Sequence, residues 1–408
     1  MRRILFWLAV LLIFMIPWQD MIMIEALGSL ARLMGFVVAG FWMVVLILRS
    51  RMRKPHAFHI LAILFILWNV ISIYWTQSYD DTMVRIRTFI QLFILVFIIW
   101  DLFRTPDDLV KGLQAYVLGS WVAIASAIIN YINGTEFRLY TAGRYTATGI
   151  NPVDFVLILA LGLPLAWYLA VNSATGLGKN ILRLVNFAFI PAALFAMLLT
   201  GGRTALFVIL PALFYIFITS SRLKVSTRIV ILVALVVALM ILLPYLPQST
   251  LERLSTVQSS IASADLGGRV YIWKTAISLF VKYPILGIGS GAFRSVSDFK
   301  SFANNTFLSV LVETGFIGFV FFGLALLVVL YQAFHQPKQF TLLWLTVLLI
   351  WTIGVSTLTW EQTKPTWLFL SLVVVSAKVG YKNEENVLAG DLSINKPFRV
   401  LPGESAPQ

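Results

Sequence analysis

The sequence contains no cysteine. That removes disulfides, thiol nucleophiles, thiolate zinc sites and iron–sulfur clusters together. Charge is also scarce: 12% of the 408 residues are charged and 59% are apolar, where soluble domains carry about 25% charged residues. A soluble multidomain protein is excluded, and the composition is that of an all-α, polytopic membrane protein. Histidine is limited to His56, His59 and His335. No H-E-x-x-H, G-x-S-x-G or Walker sequence occurs. The carboxylates form no recognisable metal cage, so neither a metal nor a cofactor is expected. Gly287, Gly289 and Gly291 resemble a nucleotide loop but lack the sixth-position glycine and the strand–turn–helix setting. They are expected to form a tight turn pressed against the membrane.

What is present is hydrocarbon in long runs. A membrane span needs ~20 largely apolar residues. Candidate spans lie at 4–18, 27–48, 57–75, 84–100, 109–132, 151–171, 183–200, 204–219, 228–247, 306–334, 340–358 and 365–380, about twelve in all. The first resembles a signal peptide without a small-x-small cleavage site and is read as an uncleaved span. The net charge of +13 follows the positive-inside pattern rather than nucleic-acid binding. With the N-terminus inside, inner loops hold Arg49 to Lys54, Arg104, Lys111, Lys179, Arg183, Arg222, Lys224 and Lys338. Asp20, Glu25, Asp80, Asp81 and Glu136 fall outside, as does a long loop at 248–305 between the ninth and tenth spans. Both termini are therefore expected in the cytoplasm. The chain reads as one transmembrane domain, 1–380, followed by a polar, disordered cytoplasmic tail, 381–408.

Arginines on the outer face run against the charge bias and ask for a reason. The only two GGR triplets end at Arg203 and Arg269, each at the start of an expected outer-face helix. Glycines let a ligand approach the backbone, a helix N-terminus offers N–H donors, and a guanidinium fork matches phosphate. Snorkelling to headgroups, or pairing with a carboxylate, is the structural alternative. Arg144, after Gly143, is a better ligand candidate than Arg138. Arg85 either lines a cavity or marks the interface. Glu313 and Asp154 are the main acids inside spans, and either could pair with an arginine. The spacing of Val270, Ile272, Trp273, Ala276, Ile277 and Phe280 predicts an amphipathic helix over 269–280 along the outer surface. Asn304-Asn305-Thr306 is expected to cap the tenth span.

These pieces in order resemble the O-antigen ligase and polymerase superfamily of bacterial inner membranes. The residues carrying the resemblance are TGGRTAL at 200–206, R-x-x-x-W at 269–273, YPILGIGSGAF at 283–293, NNTFLSVLVETGFIG at 304–318 and KPTWLFLSL at 364–372. The resemblance implies a metal-independent glycosyltransferase. It would act on undecaprenyl-diphosphate-linked glycan, among membrane lipids and other polysaccharide assembly proteins. Catalytic roles would fall to Arg203, Arg269 and Asn304, and substrate binding to Arg144, Arg85, Glu313 and Lys364. The family's ligases usually carry histidine where Asn304 stands, which favours a polymerase or an altered mechanism. A lipid-linked sugar transporter or flippase, or a non-catalytic assembly factor, is the alternative. A transporter predicts inverted repeats and mid-membrane charges, whereas here the arginines gather at one face.

Overall fold

The structure is a computed structural model. It describes residues 1–25, 28–49, 52–137, 143–172, 177–221, 223–255 and 269–394. Arg138, Ser259 and Asp265 lie outside the described residues.

Helices stand at all twelve expected places. They are α1 (Arg2–Met15), α2 (Leu30–Arg49), α3 (Ala57–Ile71), α4 (Tyr79–Leu102), α5 (Pro106–Ile132), α6 (Pro152–Asn172), α7 (Leu177–Leu199), α8 (Arg203–Ser220) and α9 (Val225–Leu242), then α13 (Thr306–Phe334), α14 (Lys338–Val355) and α15 (Lys364–Ile394). Three shorter helices occupy the long loop: α10 (Gln248–Ser255), α11 (Arg269–Lys282) and α12 (Phe293–Val296). Among the described residues, ten helices are long and apolar enough to cross a membrane, so length and composition support ten crossings rather than twelve. With 14 residues, α1 reaches only about 21 Å, short of a ~30 Å hydrocarbon core. The last helix begins apolar but continues past residue 380 into the polar tail. A two-residue antiparallel pair, Met23–Ile24 with Gly28–Ser29, is the only sheet among the described residues.

Two helices are apolar all round for opposite reasons. Along α6, 89% of the best membrane-length stretch is buried inside the protein, while along α9 none is. The first is the central pillar, packed against α5, α7, α8 and α14. The second exposes Val225, Ile229, Val233, Val236 and Met240, a surface suited to lipid.

Cations from three expected inner segments converge at one end of the bundle. Arg104 contacts Asp101 Oδ1 at 2.5 Å, Arg53 donates its backbone N–H to the same carboxylate, and Arg2 donates to the Asp101 carbonyl at 2.7 Å. The starts of α4, α6, α8, α13 and α15 lie at the other end, and the candidate site residues cluster there.

At that end the triple-glycine segment is not a turn resting on the membrane. It threads into a break in α13. Gly315 has φ +66°, which interrupts the helix, and nearby backbone bonds are made to residues 284–289 instead. Ile288 and Gly289 donate to the carbonyls of Val312 and Glu313 at 3.0 Å, and Phe316 donates to Pro284 at 2.8 Å. Side chains cannot fit here: a Cβ on Gly289 would stand 2.2 Å from Thr76 Oγ1, and one on Gly315 would stand 2.2 Å from the Ile285 carbonyl. The amphipathic helix α11 also turns inward. Ala276 is buried, Ile272, Leu279 and Phe280 pack on Ile288, Phe293 and Val312, and Trp273 Nε1 donates to the Ala303 carbonyl at 3.1 Å. Ile277, expected on the buried face, is exposed.

Candidate functional site

The two glycines before Arg203 sit between α7 and α8. Gly201, at φ +57°, ends α7, and Gly202 begins α8 without a side-chain cap. Around this turn stand four arginines. Arg203 is the first residue of α8. The segment carrying Arg144 is pinned across the end of α7: Arg144 Nε donates to the Thr200 carbonyl at 2.7 Å and Tyr145 N–H to the Leu199 carbonyl at 3.0 Å. A Cβ on Gly202 would lie 3.7 Å from Arg144 Nη2, and one on Gly201 would lie 3.3 Å from Arg253 Cδ. Burial first, then the charges of Arg253 and Arg269, push the Arg144 guanidinium down to about 10. Burial also lowers Arg269. Guanidiniums close enough to disfavour one another's charge are complementary to a polyanion, which relieves that repulsion. Arg253 was missed in the sequence reading. Its signal is the one that singled out the others, a cation on the face where cations are few.

Beyond the 143–151 segment lies a cavity of about 720 Å³. Asn304, Asp154, Asp20, Glu136, Trp360 and Thr146 are among its lining residues. Asp154 stands in the first turn of α6, and its Oδ1 accepts from Trp360 Nε1 at 2.6 Å. Trp360 is fixed in turn by its backbone N–H donating to Thr306 Oγ1 at 2.8 Å. Asn304 has φ +49°, the left-handed region that asparagine tolerates better than most residues, and its N–H donates to Thr359 Oγ1 at 3.0 Å. The helix cap expected of this asparagine pair belongs to Asn305, whose Oδ1 accepts from Leu308 N–H at 3.0 Å. The Asn304 side chain is therefore not committed to capping. Burial raises the Asp20 carboxyl against the lowering effects of Lys364 and Gln19. Lys364 Nζ donates to Gln19 Oε1 at 2.7 Å, so it braces the cavity wall from behind.

Arg85 and Glu313 are elsewhere, in a dry cluster inside the bundle. Arg85 is 3% exposed and meets Glu361 Oε1 at 2.5 Å and Glu313 Oε2 at 3.5 Å. Glu313 Oε2 also accepts from Gly291 N–H at 2.8 Å, and Ser309 Oγ donates to Glu361 at 3.2 Å. This cluster ties α4 and α13 to the turn before α15, and it locks the glycine segment in place. Neither residue lines the large cavity. Among the described residues no group of acids and histidines could hold a metal ion.

The arginine cluster can hold phosphate oxygens, and the neighbouring cavity can hold sugar hydroxyls on carboxylates and amides. Residues 187–323 match the family model described as O-Antigen ligase. No curated protein matches the chain. The matched stretch contains Arg203, Arg253, Arg269, Asn304 and the helix break at Gly315, and leaves out Arg144 and Asp154. Residues 187–323 are thus similar to the O-antigen ligase family, in a chain whose described residues include ten helices long and apolar enough to cross a membrane.

Proposed function

We propose that the protein is a glycosyltransferase of surface polysaccharide assembly, acting on the outer face of the bacterial inner membrane. The donor is a glycan on undecaprenyl diphosphate. An acceptor sugar hydroxyl attacks the anomeric carbon, and the lipid diphosphate leaves with the bonding electrons. The diphosphate is already a good leaving group, so the protein's main task is to hold it while charge accumulates and to align the two reactants.

The observation that carries this reading is the gathering of Arg144, Arg253 and Arg269 about Gly201 and Gly202, next to Arg203. Glycines there leave room for phosphate at the backbone. The cavity lined by Asn304 adjoins this cluster through residues 144–150 and is polar enough for a sugar. Asn304 orients the acceptor, since an amide does not take up a proton near neutral pH. Lys364 supports the wall of that cavity. Arg85 and Glu313, paired and dry, hold the scaffold.

Binding of the lipid carrier tests the reading. Purified protein in detergent is titrated with undecaprenyl diphosphate and with undecaprenyl monophosphate, following intrinsic tryptophan fluorescence. The diphosphate should bind at least 10-fold more tightly, and Arg269→Ala should erase that preference. Equal affinity for the two lipids, unchanged in Arg269→Ala, would remove the arginine cluster from the reaction.

A further inference from the structure

We propose that Asp154 is the group that takes the proton from the attacking acceptor hydroxyl. The inference rests on the glycosyl-transfer reading above and supplies what that reading lacks, since histidine is missing from this end of the chain. His56 and His59 stand at the start of α3 and His335 at the end of α13, all at the opposite end of the bundle.

Three observations point to Asp154. First, it lines the same 720 Å³ cavity as Asn304, so both can reach one bound sugar. Second, its geometry is set in advance. Trp360 Nε1 holds Oδ1 at 2.6 Å, which leaves Oδ2 for a hydroxyl, and Trp360 itself is anchored through Thr306 to the helix that Asn304 precedes. Third, the cavity is built for a polar ligand. Asn130, Thr148, Asn151 and Gln362 line it beside Asp154 and Asn304.

The cavity is joined to the arginine cluster by one stretch of chain. The 143–151 segment links the two: Arg144 Nε donates to the Thr200 carbonyl beside Gly201, and Thr146 to Asn151 line the cavity that Asp154 also lines. In the proposed complex an acceptor held in this cavity meets a donor whose diphosphate rests at the arginine cluster. In the step, the acceptor oxygen bonds to the anomeric carbon, the carbon–oxygen bond to the diphosphate breaks, and the hydroxyl proton passes to Asp154 Oδ2 and then to water. The other charged groups about the cavity are Asp20 and Glu136, with Lys364 behind Asp20. Glu361 is excluded from this role because it is 2% exposed and paired with Arg85.

The test is turnover of the full-length protein on a lipid-diphosphate oligosaccharide with its acceptor. Positioned general bases contribute about 10²–10⁴-fold, so Asp154→Asn should lose at least 100-fold in kcat with donor binding kept. Asp154→Ala should recover activity with added formate, which a purely structural side chain would not do. Asp154→Asn within threefold of the parent, or no formate rescue, overturns the assignment. If Asp154→Asn fails to insert, Trp360→Phe is read instead: it keeps the carboxylate but frees it, and kcat should fall about 10-fold at unchanged donor KM, whereas unchanged kcat again overturns the assignment. A parent protein that makes no product at all would refute the glycosyl-transfer reading itself.

Discussion

Arg85 and Arg144 were candidates for the same task on sequence, and their surroundings separate them. Arg85 meets two carboxylates in a dry interior, while Arg144 meets a carbonyl and two more cations. Removing one partner from a buried ionic cluster costs about 3–5 kcal/mol, because the remaining charges stay buried. Arg85→Ala is therefore expected to lower the unfolding midpoint sharply in detergent. A midpoint within a degree of the parent would place Arg85 among the binding residues instead. His56 gives a pH-dependent counterpart at the basic end. Its Nδ1 accepts from Phe58 N–H at 3.3 Å, which requires the neutral ring, and burial, then Lys378 and Arg53, hold its pKa below the usual 6.5. A depressed folded-state pKa gives stability that is complete above about 6.5 and is lost as pH falls through the folded value. Thermal melts between pH 7.5 and 5 should show that loss. His56→Ser, a cap that does not titrate, should lose less over the same range, and an identical loss would contradict the capping role.

The elements show why some of this was legible and some was not. Apolar runs of span length and a helical period predict helices wherever they occur, and helices stand at all twelve places. What hydropathy does not carry is where a long helix breaks. The apolar stretch 306–334 reads as one span, yet Gly315 interrupts it and residues 284–289 complete its backbone bonds. The same partnership explains the glycines at 287, 289 and 291, whose φ values of +74°, +103° and +79° serve close packing rather than a surface turn. Among the candidate site residues, glycine-flanked arginines on a cation-poor face are visible in the sequence. Arg253 lacked the glycines, and Asp154 looked like a partner for an arginine because its neighbour Trp360 lies far away in the chain. Gly289→Val adds a side chain where Cβ already falls 2.2 Å from Thr76 Oγ1. It should uncouple the glycine segment from α13 and markedly reduce the folded yield, measured by size-exclusion chromatography. A normal elution profile and yield would show that the break in α13 needs no such partner.

Across the whole molecule, charge separates the two ends. One end gathers Arg2, Arg53 and Arg104 about Asp101. The other holds an arginine cluster, a cavity lined by Asp20, Glu136 and Asp154, and a buried ionic cluster of Arg85, Glu313 and Glu361. Guanidiniums gathered at a glycine turn suit a polyanion, and a polar cavity beside them suits a sugar. The proposed donor diphosphate and acceptor sugar would occupy these two places, and the O-antigen ligase family match spans 187–323. Glycan transfer by the purified protein tests this most directly. Full-length protein in lipid nanodiscs is given undecaprenyl-diphosphate oligosaccharide, and products are resolved by mass. The account predicts longer or transferred glycan, with Arg203→Ala and Arg269→Ala each at least 100-fold slower, the loss typical of removing one charge-stabilising donor, and Arg269→Lys also poor because a point charge replaces a fork. Product formed by both alanine variants at the parent rate would contradict it.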